Sequence, residues 1–282
     1  MYRCLSPGAA GISATLEEAL ALARSNGFEG LEVNMGDVEQ RARNSSMEAV
    51  QKLFFDAQVK PGGWGLPVNL HAPEEKFEED LKALRPLAKA AQGLGCPRTS
   101  TWIMSASDTL PFEENFRWHQ ERLGKVASVL GEYGCRLGLE FLGPQTIWRS
   151  KTHPFIHTMT GMLELAAACG PNTGLLLDCW HWYTSGSTVE ELKGLKPEQV
   201  VYVHVNDAPR GVKLEDHVDN VRGLPGETGV IDIGGFLRTL REIGYDGPVT
   251  AEPFSPTLPQ MNAAEAARTI GDSMKLIWKE LD

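Results

Sequence analysis

Val200-Val201-Tyr202-Val203-His204-Val205 is a run of β-branched and aromatic residues interrupted by one imidazole. A strand apolar on both faces is covered on both faces, as in a parallel sheet wrapped by helices. On either side of it, comparable runs predict strands at Tyr2–Leu5, Gly30–Val33, Pro67–Leu70, Thr99–Met104, Arg136–Phe141, Gly174–Cys179 and Pro248–Glu252. Between them, helical periodicity predicts Thr15–Ser25, Ser46–Gln58, Glu74–Leu94, Phe112–Glu132, Thr158–Ala168, Thr188–Lys193, Ile233–Ile243 and Asn262–Leu281. In the first of these, Leu16, Ala19, Leu20 and Ala23 recur at i, i+3, i+4 and i+7; Thr15 and Glu18 make a capping box, and Gly27 stands where a C-cap glycine belongs.

Eight alternations over 282 residues leave about 35 per βα unit. No Pro/Ser-rich linker divides them, so residues 1–282 are read as one α/β domain, a (β/α)8 TIM barrel. An open doubly wound sheet would favour a Gly-rich phosphate loop after an early strand, and Ser6-Pro-Gly-Ala-Ala-Gly11 is a poor version of one.

Composition narrows the function classes. With 27 basic against 37 acidic residues the net charge is −10, which disfavours nucleic acid and anionic membranes as partners. The 5 cysteines include no close pair and read as reduced, buried thiols of a cytoplasmic protein. The N-terminus lacks the layout of a signal peptide, and no apolar stretch approaches the ~18–20 residues of a membrane span. There is no P-loop, no convincing dinucleotide fingerprint and no Gly-x-Ser-x-Gly elbow.

In such a barrel, chemistry gathers at the C-terminal ends of the strands. Polar residues near those ends are Glu32, His71, Glu140, Asp178, His204 and Glu252. Taken singly, each has a plain structural reading: an acid after a strand caps a helix, and a histidine on an apolar strand is a satisfied core residue. Taken together, Glu140, Asp178 and Glu252 are three carboxylates in apolar sequence, and burying them near one axis without a cation would cost several kcal/mol each. A divalent ion resolves this. Two Glu, one Asp and one His form an oxygen-rich set suited to Mn²⁺ first, with Mg²⁺, Co²⁺ and Zn²⁺ as alternatives.

The segments Gly138-Leu-Glu-Phe-Leu-Gly-Pro144, Gly174-Leu-Leu-Leu-Asp-Cys-Trp-His181, Tyr202-Val-His-Val-Asn-Asp207, Arg222-Gly-Leu-Pro-Gly-Glu-Thr-Gly-Val-Ile-Asp232 and Gly247-Pro-Val-Thr-Ala-Glu-Pro-Phe254 resemble the xylose isomerase-like barrels. The inosose isomerases stand nearest in pattern, then the ketose 3-epimerases. The N-terminal half agrees mainly in layout, including Gly30-Leu-Glu32 and Asn69-Leu-His-Ala-Pro73. The resemblance implies that Glu140, Asp178, His204 and Glu252 bind one divalent ion. It also implies that His181, in Asp178-x-x-His181, contacts substrate oxygen and that Arg222 reaches the substrate. Arg210 is a rival for that arginine, and Asp207 supports the ligands or caps a helix.

The departures bear on the substrate rather than the metal. The further Glu that the epimerases often carry is missing from Gly143-Pro-Gln-Thr-Ile-Trp148, and Glu227-Thr228 lengthens the Pro-Gly turn before Gly229. Endonuclease-IV-type repair enzymes share the barrel and Asp-x-x-His but need three zinc ions. Here Asp216 and His217 are adjacent instead of Asp-x-His, and Thr101-Trp-Ile-Met-Ser105 offers no His.

Trp64, Trp102, Trp148, Trp180 and Trp182 fall in or beside the βα loops, where they either pack the loops or wall a sugar-sized site. The expectation is a metal-dependent isomerase or epimerase of a keto-sugar or keto-cyclitol. Glu140 and Glu252 serve as acid and base, and His181, Arg222, His71, Glu32 and Trp102 face the substrate. The rivals are a lyase or dehydratase on the same metal site and a silent sugar-binding barrel. A small sugar or cyclitol is the partner, and a homo-oligomer is left open.

Overall fold

The computed structural model describes residues 1–281. Eight parallel strands close into one barrel, each hydrogen-bonded to its neighbours in chain order, with the first and last joined through Tyr2 and Pro248. They run Tyr2–Leu5, Gly30–Glu32, Lys60–Gly65, Arg98–Ile103, Arg136–Phe141, Thr173–Asp178, Val200–Val205 and Pro248–Ala251. The helices form the outer layer. The first, Leu16–Ser25, carries the expected Thr15–Glu18 capping box and buries Leu16, Ala19, Leu20 and Ala23. Each fully buried leucine contributes roughly 1.5–3 kcal/mol.

The third strand departs from expectation. It lies at Lys60–Gly65, and the stretch expected to form it, Pro67–Leu70, is loop. The segment Lys-Pro-Gly-Gly-Trp-Gly looks like a turn because of its glycines, but those glycines are set by packing across the barrel. A Cβ at Gly62 would strike Cys4 Sγ, and one at Gly63 would strike the Tyr202 ring. Trp64 therefore belongs to a strand rather than a loop, buried with its Nε1 donating to Cys96 O at 3.1 Å.

Several elements come in addition to the expected ones, including short helices at Gln145–Trp148 and Cys179–Thr184. A helix at Met35–Asn44 is capped by Asn34, whose side chain accepts from the N–H groups of Gly36 and Asp37. A short antiparallel ribbon joins Ala106–Ser107 to His153–Pro154. All five cysteines are free and buried. Among the described residues, no helix is long and apolar enough to cross a membrane.

Candidate metal centre

The barrel register puts the polar strand ends on one rim. Asp178 ends the sixth strand opposite His204 of the seventh, and His204 pairs with Thr250 two residues before Glu252. Glu252 follows directly on the eighth strand and extends its ladder, donating its N–H to Val205 O at 3.0 Å. Glu140 lies one residue from the end of the fifth strand. One ligand atom from each of Glu140, Asp178, His204 and Glu252 lies within 4.8 Å of the others.

Their surroundings differ in a way that matters. Asp178 is fully buried and fully bonded. Its Oδ1 accepts from Trp180 N at 2.8 Å, where it caps the helix Cys179–Thr184. It also takes Asn206 Nδ2 at 3.0 Å, and its Oδ2 takes Arg222 Nη1 at 2.7 Å. Glu140 Oε1 and His204 Nδ1, by contrast, are buried with no hydrogen-bond partner. His204 Nδ1 stands 3.7 Å from Glu140 Oε1 and 3.5 Å from Glu252 Oε2, too far or too poorly aligned for hydrogen bonds. Orphaned buried polar atoms are rare and costly. Two of them converging with two further carboxylates fit a divalent ion.

Electrostatics separate the two glutamates. Burial, aided by the nearby carboxylates of Glu252 and Asp178, pushes Glu140 up to about 8. Burial also acts to raise Glu252, but His204 and Arg222 outweigh it and hold that carboxyl below its ordinary range. Asp178 is raised by burial against the pull of Arg222. Burial opposes charge on His204, yet the carboxylates of Glu252 and Glu140 hold it well above the usual imidazole range.

His181 is fully buried, and its pKa is pushed far below the usual imidazole range by burial, with Arg222 and His204 adding to the effect, so the ring is neutral. The backbone N–H of Gly143 donates to its Nδ1 at 3.2 Å, so the proton of the neutral ring sits on Nε2. That Nε2 faces Arg222 Nη2 at 3.2 Å and Asp219 Oδ1 at 3.8 Å.

Arg222 links the set, with Nη1 also donating to Glu252 Oε2 at 3.0 Å and Nη2 to Asp219 Oδ1 at 2.7 Å. Arg210 lies elsewhere, donating to Thr228 O from the surface. Asp207 ties down the loop beyond it, accepting from the N–H groups of Thr228, Gly229 and Ile231.

The remaining residues of interest lie outside the cluster of four. Glu32 is half-buried and accepts from the Tyr202 hydroxyl at 3.4 Å. It also lines a cavity of about 770 Å³ bounded by Ser13, Asn34, Arg41 and Trp64. Trp102 is 55% exposed and lies opposite Glu140 in the strand register. His71 is not at a strand end. It lies in the loop after the third strand, exposed, with its ring stacked on Trp118 at 4.9 Å.

Of the other tryptophans, Trp64, Trp180 and Trp182 are buried, and Trp148 stacks on His157. The sequence reading passed over Asn206, Asp219 and the role of Gly143. Asn206 and Gly143 stand inside quoted motifs, but nothing in spacing alone marks Asp219.

Comparison with known proteins agrees with this fold. A xylose isomerase domain protein from Alicyclobacillus acidocaldarius superposes with a TM-score of 0.86 at 32% identity, covering 100% of this chain and 99% of that one. An inosose isomerase from Halalkalibacterium halodurans is 24% identical, the match covering 97% of this chain and 95% of that protein. A 3-dehydroshikimate dehydratase from Pseudomonas putida is 24% identical over 92% of this chain and 40% of its own length. Residues 20–277 match the xylose isomerase-like TIM barrel family, and the chain belongs to it.

Proposed function

We propose that this protein is a divalent-metal-dependent isomerase or epimerase of a keto-sugar or keto-cyclitol. One observation carries the reading: a cluster of three buried residues and the half-buried Glu252, with two unbonded ligand atoms, flanked by a neutral imidazole and a guanidinium. Glu140, Asp178, His204 and Glu252 would hold the ion. When bound, such an ion supplies Lewis acidity to a ketone and its neighbouring hydroxyl.

The chain's own residues do the rest. Glu140 and Glu252 project from the fifth and eighth strands and can address opposite faces of a carbon next to the carbonyl. One removes the proton, giving an enediolate, and the other returns it. His181 holds its Nε2 proton between a guanidinium donor and a carboxylate too distant to accept it, so that proton is left for a substrate oxygen. Arg222 adds positive charge beside the developing oxyanion. Glu32 and the exposed Trp102 face the substrate from the rim, and His71 contributes only with a substrate long enough to reach the third loop.

A dehydratase is the second reading, favoured by the similarity to 3-dehydroshikimate dehydratase. It would use the same C–H removal and then expel a β-hydroxyl. The test is incubation of the Mn²⁺-loaded protein with a panel of ketoses and inososes in deuterium oxide. Exchange at one carbon with no loss of water supports the isomerase reading, and a product lighter by one water supports the dehydratase. No exchange or product with any compound, in a protein shown to hold metal, overturns both.

A further inference from the structure

The chain leaves the metal cluster through Glu252-Pro253-Phe254. Proline disfavours helical backbone in the residue before it, which suits Glu252 to prolong the eighth strand. At Phe254 the backbone turns to a φ of +42°, left-handed and disfavoured for a bulky side chain. Among the described residues, the other non-glycine with positive φ is Gln58. It ends a helix and donates its N–H to Phe54 O and Phe55 O, the ordinary use of that conformation. Phe254 caps no helix.

The ring gains little from burial either, being 45% exposed. What the turn achieves is a contact: the ring centroid lies 4.7 Å from Arg222 Cζ, and the buried ring of Trp180 lies 5.4 Å from the same atom. Both are within cation–π range. Strain kept at a site mouth, with no packing return, calls for a functional reason.

We propose that Phe254 is a positioning residue that, with Trp180, clamps the Arg222 guanidinium, and that its left-handed backbone is retained for this purpose. The clamp matters because Arg222 must serve three carboxylates at once: Asp178, Glu252 and Asp219. Its Nε also donates to Asp219 O at 2.8 Å. A guanidinium free to rotate would exchange those contacts for water and lose its aim. What the clamp does for turnover rests on the function proposed above; the clamp itself does not.

The test therefore begins with a readout that needs no substrate. In the full-length, metal-free protein, the Arg222 Nε–H resonance is assigned by its loss in Arg222→Lys. It should be ring-shifted and slow to exchange with solvent. Phe254→Leu keeps the backbone strain and loses the ring, whereas Phe254→Gly relieves the strain and loses the ring. Both should move the resonance toward the ordinary arginine position and speed its exchange at least tenfold, and Phe254→Tyr should leave it in place. With a substrate in hand, the Leu and Gly variants should lose about tenfold in kcat with KM and Mn²⁺ affinity near wild type, and Tyr should restore turnover.

An unchanged resonance in Phe254→Gly overturns the clamp whatever the reaction turns out to be. A rise in KM alone, with the resonance unmoved, would make the ring a substrate wall and likewise overturn it. A lost signature in a protein that acts on no compound of the panel upholds the clamp and counts against the proposed reaction.

Discussion

Glu140 Oε1 and His204 Nδ1 face each other across 3.7 Å in the barrel mouth, both buried and neither hydrogen-bonded. Evolution rarely leaves two such atoms together without a third body, because each forgoes roughly 1–3 kcal/mol of solvation. The carboxylates of Asp178 and Glu252 complete a group of four around the same point. The fold thus holds its charged residues in a geometry that disfavours the empty state.

Metal should therefore stabilise the fold measurably. A ligand present at a hundred times its dissociation constant adds about 2.7 kcal/mol, a shift of roughly 5 °C in a domain of this size. Thermal melts of chelated protein with and without Mn²⁺ read this directly, and elemental analysis should return one ion per chain. A melting midpoint indifferent to millimolar Mn²⁺ would rule out the site.

Ligand and substrate roles separate by substitution. His204→Ala should weaken Mn²⁺ affinity at least tenfold, whereas His181→Ala should leave affinity near wild type and impair turnover. Gly143→Ala should behave like His181→Ala, since a Cβ there collides with the His181 carbonyl oxygen and the Thr184 hydroxyl. Calorimetric titration of the three variants decides it. Equal metal loss in all three would mean that His181 belongs among the ligands.

Stability should also depend on pH through a residue away from the cluster. His119 is buried, its Nδ1 2.9 Å from Asn115 O and its ring stacked on Phe155 at 5.1 Å. Burial lowers its pKa from 6.5 to about 4. The unfolded chain thus takes up a proton below 6.5 that the folded chain refuses until about 4. The contribution is full above 6.5 and is lost as pH falls toward 4, about 3 kcal/mol over the window. Urea titrations from pH 4 to 7 should show this acid limb flattened in His119→Gln relative to wild type. Parallel curves for the two proteins would refute it.

How far these features could be read in advance depended on whether their cause was local. The seventh strand announces itself because both faces are apolar, and Asp178, His204 and Glu252 stand out as polar breaks in such runs. The third strand is hidden because Gly62 and Gly63 answer to Cys4 and Tyr202, residues remote in sequence. Asp219 has no local signature, as it matters only through Arg222 and His181. His71 was misplaced for the same reason as its strand, and three tryptophans with the look of a binding wall, Trp64, Trp180 and Trp182, turned inward.

The two glutamates test proton transfer apart from metal binding. Gln preserves the size of Glu and one acceptor oxygen, so Glu140→Gln and Glu252→Gln should leave the barrel intact. Each removes a negative charge from the cluster, and excess Mn²⁺ in the assay offsets the loss of affinity. An amide cannot take a proton from carbon near neutral pH, so each metal-saturated variant should lose ~10²–10⁴-fold in turnover. The fold itself should respond oppositely. Burial raises the pKa of Glu140, to about 8, so at pH 9 the metal-free wild type carries a buried charge that Glu140→Gln lacks. The variant should then melt higher than wild type in chelator at pH 9, and lower than wild type in saturating Mn²⁺. In deuterium oxide, the variant lacking the first base should fail to exchange the substrate C–H. Its counterpart should still exchange while failing to invert the carbon. If both metal-loaded variants exchange and turn over at wild-type rates, the carboxylates are ligands only, and the base must be sought among the other groups at the rim.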